Sequence, residues 1–115
     1  MESEISFRQA IQMCRAVYWR FEQAEGRAWG VEGAMIELVK QVGELAKQIM
    51  LAEKYYFQGR APLRGYETDK EIIANELADI FGMIIRIADY YEIDLVEAHI
   101  KARRDEEESL MRMGV

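Results

Sequence analysis

Apolar residues recur at helical spacing along most of the chain, and the breaks in that recurrence divide it into four segments. The first runs from about Ser3 to Ala24, with Phe7, Ile11, Cys14, Tyr18 and Phe21 on one face, and "EGRAWG" interrupts it. The second runs from about Val31 to Lys54 on a continuous stripe of Met35, Leu38, Val39, Val42, Leu45, Ala46 and Ile49. The third opens on "TDKE", a Thr-x-x-Glu capping box at Thr68 and Glu71, and reaches about Tyr91. Asp94 with Glu97 marks the start of a fourth, which continues toward Met111. Between the second and third lies "YYFQGRAPLRGYE", with Gly59, Pro62 and Gly65, a loop long enough to carry a role of its own. No strand-like alternation of useful length appears. The pattern predicts an all-α fold, a four-helix bundle-type protomer forming one domain over residues 1–115.

The apolar arcs of the second and third helices are wide. Ile36, Leu38, Val39, Val42 and Met50 cover more than one face of the second. Such width predicts burial on two sides, and hence a homodimer or homotetramer.

Composition narrows the picture. The chain has 115 residues, 50% of them hydrophobic, which is ample for a core. A net charge of -6 disfavours nucleic-acid binding driven by counterion release. No apolar run is long enough for a membrane span, and the acidic start "MESEIS" lacks a signal-peptide pattern, so a cytoplasmic protein is expected. The single cysteine, Cys14, falls on the first apolar stripe and reads as an inert buried thiol. His99, between Leu95 and Ala102 on the fourth stripe, reads as a packed histidine.

The third helix carries an acid where an apolar residue belongs. Ile73, Leu77, Ile80, Ile84 and Ile87 define its stripe, Ile72 and Met83 extend it, and Glu76 falls between those groups. Asp79 is one turn further, about 60° round and roughly 4.5 Å along the axis. A desolvated carboxylate must be protonated, paired with a cation, or bound to metal. The pair Glu76 and Asp79 therefore reads either as partners of Lys or Arg on a neighbouring helix or as oxygen ligands of one hard cation such as Mg²⁺. On the second helix Glu37, Gln41 and Glu44 line one polar strip. Glu37 and Glu44 are about 10 Å apart along the axis, too far to clamp one ion, whereas Gln41 and Glu44 could share one. Gly43 interrupts this helix at a cost of about 1 kcal/mol relative to alanine, which a close helix approach would offset.

"WGVEGAMIELVKQVGELAKQI" and "KEIIANELADIFGMIIRIADYYEIDLVEA" together resemble the MazG-like all-α nucleoside triphosphate pyrophosphohydrolases over residues 26–104. The family pattern is Glu-Glu-x-x-Glu on one helix and Glu-x-x-Asp on the next, both facing a Mg²⁺–triphosphate pocket. The second half is intact as Glu76 and Asp79 in "ELAD". In the first half Glu44 remains, while Lys40 and Gln41 replace the two preceding acids, and the intervening loop is longer than usual for the family. The resemblance implies hydrolysis of a nucleoside triphosphate to monophosphate and pyrophosphate with Mg²⁺, or Mn²⁺ in its place. It implies Gln41, Glu44, Glu76 and Asp79 as ligands and Glu44 as bridging ligand or base. Lys40 either pairs with Glu44, four residues on, or offers its ammonium to the pocket. Lys54, Arg60 and Arg64, among Tyr55, Tyr56, Phe57 and Tyr66, are candidates to bind the nucleotide, as are Lys101 and Arg104, with Arg103 beside them. Solvated arginines of an interface loop and a solvated helix face are the plain alternatives. Loss of the two acids leaves a second reading open, a catalytically silent MazG-like helical module acting as an oligomeric binding or structural protein.

Overall fold

Ser6 starts the first helix. Its hydroxyl accepts from the Gln9 backbone N–H at 3.1 Å, and the Gln9 side-chain oxygen accepts from the Ser6 N–H at 2.7 Å. This capping box satisfies N–H groups that a helix end leaves unpaired. The computed structural model describes residues 4–57, 59–60, 63 and 65–115. They form four helices: α1 Phe7–Glu25, α2 Val31–Ala52, α3 Lys70–Tyr90 and α4 Leu95–Arg112. There is no strand among the described residues, so the fold class is all-α. None of these helices is long and apolar enough to cross a membrane.

Most helix ends fall within a residue of the sequence expectation, and those that differ do so for a local reason. The expected first residue of α1, Ser3, lies outside the described residues, and the Ser6 cap sets the start at Phe7. Gly26, at φ 79°, closes its other end. α2 stops at Ala52 because Lys54 turns into the left-handed region at φ 60° and the Tyr55 N–H reaches back to the Met50 carbonyl at 2.9 Å. At the start of α3 the capping residue is Asp69, not Thr68. Asp69 Oδ1 accepts from the Ile72 N–H at 2.9 Å, whereas Thr68 Oγ1 is buried without a partner among the described residues. A carboxylate next to the helix complements the positive N-terminal end better than a hydroxyl one position further away. Asp94 caps α4 as expected, accepting from the Glu97 N–H at 3.1 Å.

The chain divides into two compact units. One comprises Met1–Ala28 and Ile85–Val115, the other Trp29–Ile84. In the first, Ile11, Ile85 and Ala88 are buried. Arg15 grips Asp89 through Nε and Nη2 at 2.7–2.9 Å, and Arg8 reaches Asp94 and Glu97, both at 3.2 Å. Cys14 is half-buried, and desolvation pushes its thiol pKa up, which disfavours the thiolate. His99 is exposed rather than packed inside, with its ring edge-on to Phe7.

The second unit contains α2, the following loop and the first four turns of α3. Ala34 and Met83 are buried there, and so is the polar Gln48. α2 leaves much of its apolar stripe uncovered. Met35, Val39, Val42 and Ile49 are 45–60% exposed, while Glu37, Leu38, Gln41, Leu45 and Lys47 are half-buried. The helix turns its polar strip toward the interior and leaves the Val39–Val42–Ala46–Ile49 seam on the surface. α3 does the same in part: Leu77, Phe81 and Ile84 are exposed, and its covered line runs Ile72–Glu76–Asp79–Met83. Gly43 stands beside the exposed seam, where an added Cβ would meet nothing within 4 Å. No close approach within this chain accounts for that glycine.

Candidate functional site

The two polar lines of the Trp29–Ile84 unit define the site. On α3, Glu76 and Asp79 sit on the covered face because Ile72 and Met83 on either side pull that face inward. Glu76 is half-buried, and its Oε2 is fully covered without a hydrogen-bond partner among the described residues. Its carboxyl pKa is raised, first by desolvation, then by the negative charges of Asp79 and Glu44; Lys40 opposes them. Glu44 and Lys40 belong to α2, so the two helices bring Lys40, Glu44, Glu76 and Asp79 within electrostatic range of one another.

Glu37 organises the start of the α2 strip. Gln41 Nε2 donates to Glu37 Oε1 at 3.0 Å, and Lys40 Nζ lies 3.5 Å from the same oxygen. Of the two roles open to Lys40, the pair with Glu44 does not form, because Glu37, 23% exposed, is the less hydrated partner one turn the other way. The bond to Glu37 uses the NH₂ group of Gln41 and leaves its carbonyl oxygen uninvolved. Glu44 stays exposed at the rim of the strip. Gln48, one turn beyond, is buried with Oε1 unpartnered among the described residues.

The donor set suits a hard cation in chemistry: carboxylate oxygens from two helices, one of them buried and unsatisfied, in a field of like charge that a cation would neutralise. Among the described residues, no three His, Cys, Asp or Glu side chains converge closely enough to hold a metal ion as they stand.

Beyond Glu44 the site changes sign. Lys47 Nζ lies 4.7 Å from the centre of the Tyr66 ring, and the Arg60 guanidinium lies 4.9 Å from the same ring and 4.4 Å from that of Tyr56. Arg60 Nη2 donates to the Tyr66 hydroxyl at 2.6 Å, and the two tyrosine rings meet edge-on at 5.4 Å. Gly65, at φ 87°, makes the turn that brings Tyr66 beside Lys47.

The sequence-derived nucleotide-binding residues are dispersed. Arg60 belongs to this cluster. Lys54 is exposed at the left-handed end of α2. Arg64, like Pro62, lies outside the described residues. Lys101 and Arg104 lie on α4 in the other unit, where Lys101 pairs with Asp105 at 2.6 Å. Lys47 and Gln48 do not stand out in the sequence, and Tyr66 does so only as one of four aromatics beside the basic residues of the loop. For Lys47 and Gln48 the available signal was their spacing from Glu44 and Gln41 along one polar strip. Tyr66 had only its place in an aromatic-rich loop. No protein family matches the chain, and no curated protein or solved structure is significantly similar to it.

Proposed function

We propose that the protein is a MazG-like nucleoside triphosphate pyrophosphohydrolase with a reduced acidic ligand set, converting a nucleoside triphosphate to monophosphate and pyrophosphate. The observation that carries this reading is Glu76: a carboxylate with a covered, unpartnered oxygen, facing two further acids from its own and a neighbouring helix. Partial burial and two neighbouring acids disfavour the ionised form of Glu76, so a bound cation would stabilise it there. Retention of such an acid is what a functional site requires.

Glu44, Glu76, Asp79 and the amide oxygen of Gln41 would hold Mg²⁺, or Mn²⁺ in its place. The ion would supply neutralisation of phosphate charge and activation of the attacking water. Glu44, exposed at the rim, would act as bridging ligand or would accept the proton of that water as the bond between the α and β phosphates breaks. Gln41 and Lys40 supply no negative charge, and both are engaged with Glu37. One cation is therefore expected, with weaker affinity than a full set of acids would give.

The exposed seam supports the proposal of a homodimer or homotetramer. It is apolar and uncharged over Met35–Val39–Val42–Ala46–Ile49, with spacing alternating between four and three residues, the pattern of a helix that packs along another helix. Gly43 beside it leaves room for a second copy. The same seam favours the second reading, a catalytically silent oligomeric module, in which the engagement of Lys40 and Gln41 with Glu37 has closed the site.

A panel of nucleoside triphosphates incubated with Mg²⁺ or Mn²⁺ separates the two. Release of pyrophosphate from at least one supports the enzyme. No turnover of any, together with no metal-induced change in melting temperature, leaves the silent module.

A further inference from the structure

We propose that Lys47 and Arg60, fixed on the Tyr66 ring, form an anion-binding element that takes the polyphosphate tail of the nucleotide without a metal ion. It rests on the nucleotide-hydrolase reading for the identity of the ligand, but the anion site stands on its own observations. Among the described residues neither cation has a carboxylate within 4 Å. Both cations share one ring, Lys47 Nζ at 4.7 Å and the Arg60 guanidinium at 4.9 Å from its centre, so their charges are held together in a chain of net charge -6. Tyr56 and Tyr66 hold the guanidinium by its faces and by one N–H, leaving other N–H groups free to form a bidentate pair with phosphate. The positive potential there is visible in the Tyr66 phenol, whose pKa is lowered first by the Arg60 hydrogen bond and then by the charges of Arg60 and Lys47.

The placement matters for the acids. Lys47 follows Glu44 by three residues, roughly 4.5 Å further along α2. A polyphosphate approaching Glu44, Glu76 and Asp79 alone meets like charge. Fixed cations one turn beyond Glu44 attract its far end and hold the reacting end near the carboxylates. In a site that lacks two acids, and so binds metal less tightly, fixed side-chain charge takes over part of the metal's neutralising role.

The test is calorimetric titration of inorganic pyrophosphate into the full chain in EDTA, before any nucleotide is used. Saturable binding is expected, weakened about tenfold or more by Lys47→Ala and by Arg60→Ala. Tyr66→Phe, which keeps the ring and loses the hydroxyl, is expected to weaken it less. Lys70→Ala, an exposed lysine at the start of α3, controls for overall charge and should bind as the wild type does. Helical circular dichroism of each variant checks the fold, and Lys47→Arg should retain binding. No pyrophosphate binding in EDTA, or equal binding by Lys47→Ala, Arg60→Ala and the wild type, overturns the proposal. Pyrophosphate binding through Lys47 and Arg60 with no turnover of any nucleotide would leave this element standing while the hydrolase reading fails.

Discussion

The two units treat charge differently. In the unit of α1, α4 and the end of α3, Arg15 closes on Asp89 at 2.7 Å and Arg8 on Asp94 and Glu97, while the Arg86 guanidinium lies 4.1 Å from the centre of the Tyr18 ring. In the Trp29–Ile84 unit, Glu76 has a covered oxygen without a partner and acids for neighbours, and Lys47 and Arg60 meet tyrosine rings rather than carboxylates. Paired surface charges are worth little individually and serve to hold helices in register. Unpaired, partly desolvated charges cost stability, and a fold keeps them where a ligand makes up the difference.

The largest effect is expected at Glu44. Glu44→Gln should lower pyrophosphate release from nucleoside triphosphates by about 10²- to 10⁴-fold, with little change in melting temperature, since the side chain is exposed and supports no packing. Next comes the apolar seam. Val39→Glu would bury a carboxylate on each side of a self-association interface and should weaken assembly about a hundredfold, read by light scattering across protein concentration. A seam open to solvent would leave the mass unchanged.

Arg15→Ala tests the paired unit. Both partners are more than a third exposed, so the loss should be about 1 kcal/mol, a fall in melting temperature of about 4–8 °C, with nucleotide turnover unaltered. Gly43→Ala is comparable but two-sided. Helix propensity favours alanine by about 1 kcal/mol, so a separate protomer should gain stability; if a second copy packs against Gly43, assembly should weaken instead.

The smallest effects have opposite signs in the two units. Asp94 titrates below its ordinary 3.8, chiefly through the Glu97 N–H and then Arg8. Its contribution to stability is full above that value and is lost as pH falls through the lowered one. Glu76 titrates above its ordinary 4.5, so the folded chain binds a proton more tightly than the unfolded one, and stability falls as pH rises from 4.5 through the raised value. Melting curves against pH should show Asp94→Asn removing the acid-side loss and Glu76→Gln removing the fall on the other side.

One part of this contrast, Glu76, was legible in the sequence. Glu76 stood out because Ile72, Ile73 and Met83 place its angle on α3 within an apolar sector, and a helical wheel reports angles faithfully. The face of α2 that turns inward was not legible. Periodicity shows that Met35, Val39, Val42 and Ile49 share a face; it does not show whether this chain or another covers it. Spacing offers Lys40 a pair with Glu44, but i±3 and i±4 neighbours lie on both sides of a helical residue, and burial of Glu37 decides between them. The Tyr56–Arg60–Tyr66–Lys47 cluster depends on the path of an irregular loop, about which periodicity is silent. The cap of α3 moved by one residue because Thr68 and Asp69 are both good caps and only the backbone chooses.

The most direct test of the central claim, that Glu76 is an unpaired acid kept for a ligand, is its own titration followed by carboxyl-carbon NMR with and without Mg²⁺. The expected midpoint lies above 4.5 in the absence of metal and moves down as Mg²⁺ is added, since a bound cation favours the ionised form. A midpoint at or below 4.5 that Mg²⁺ leaves in place would mark Glu76 as an ordinary salt-bridged or solvated carboxylate and contradict the claim.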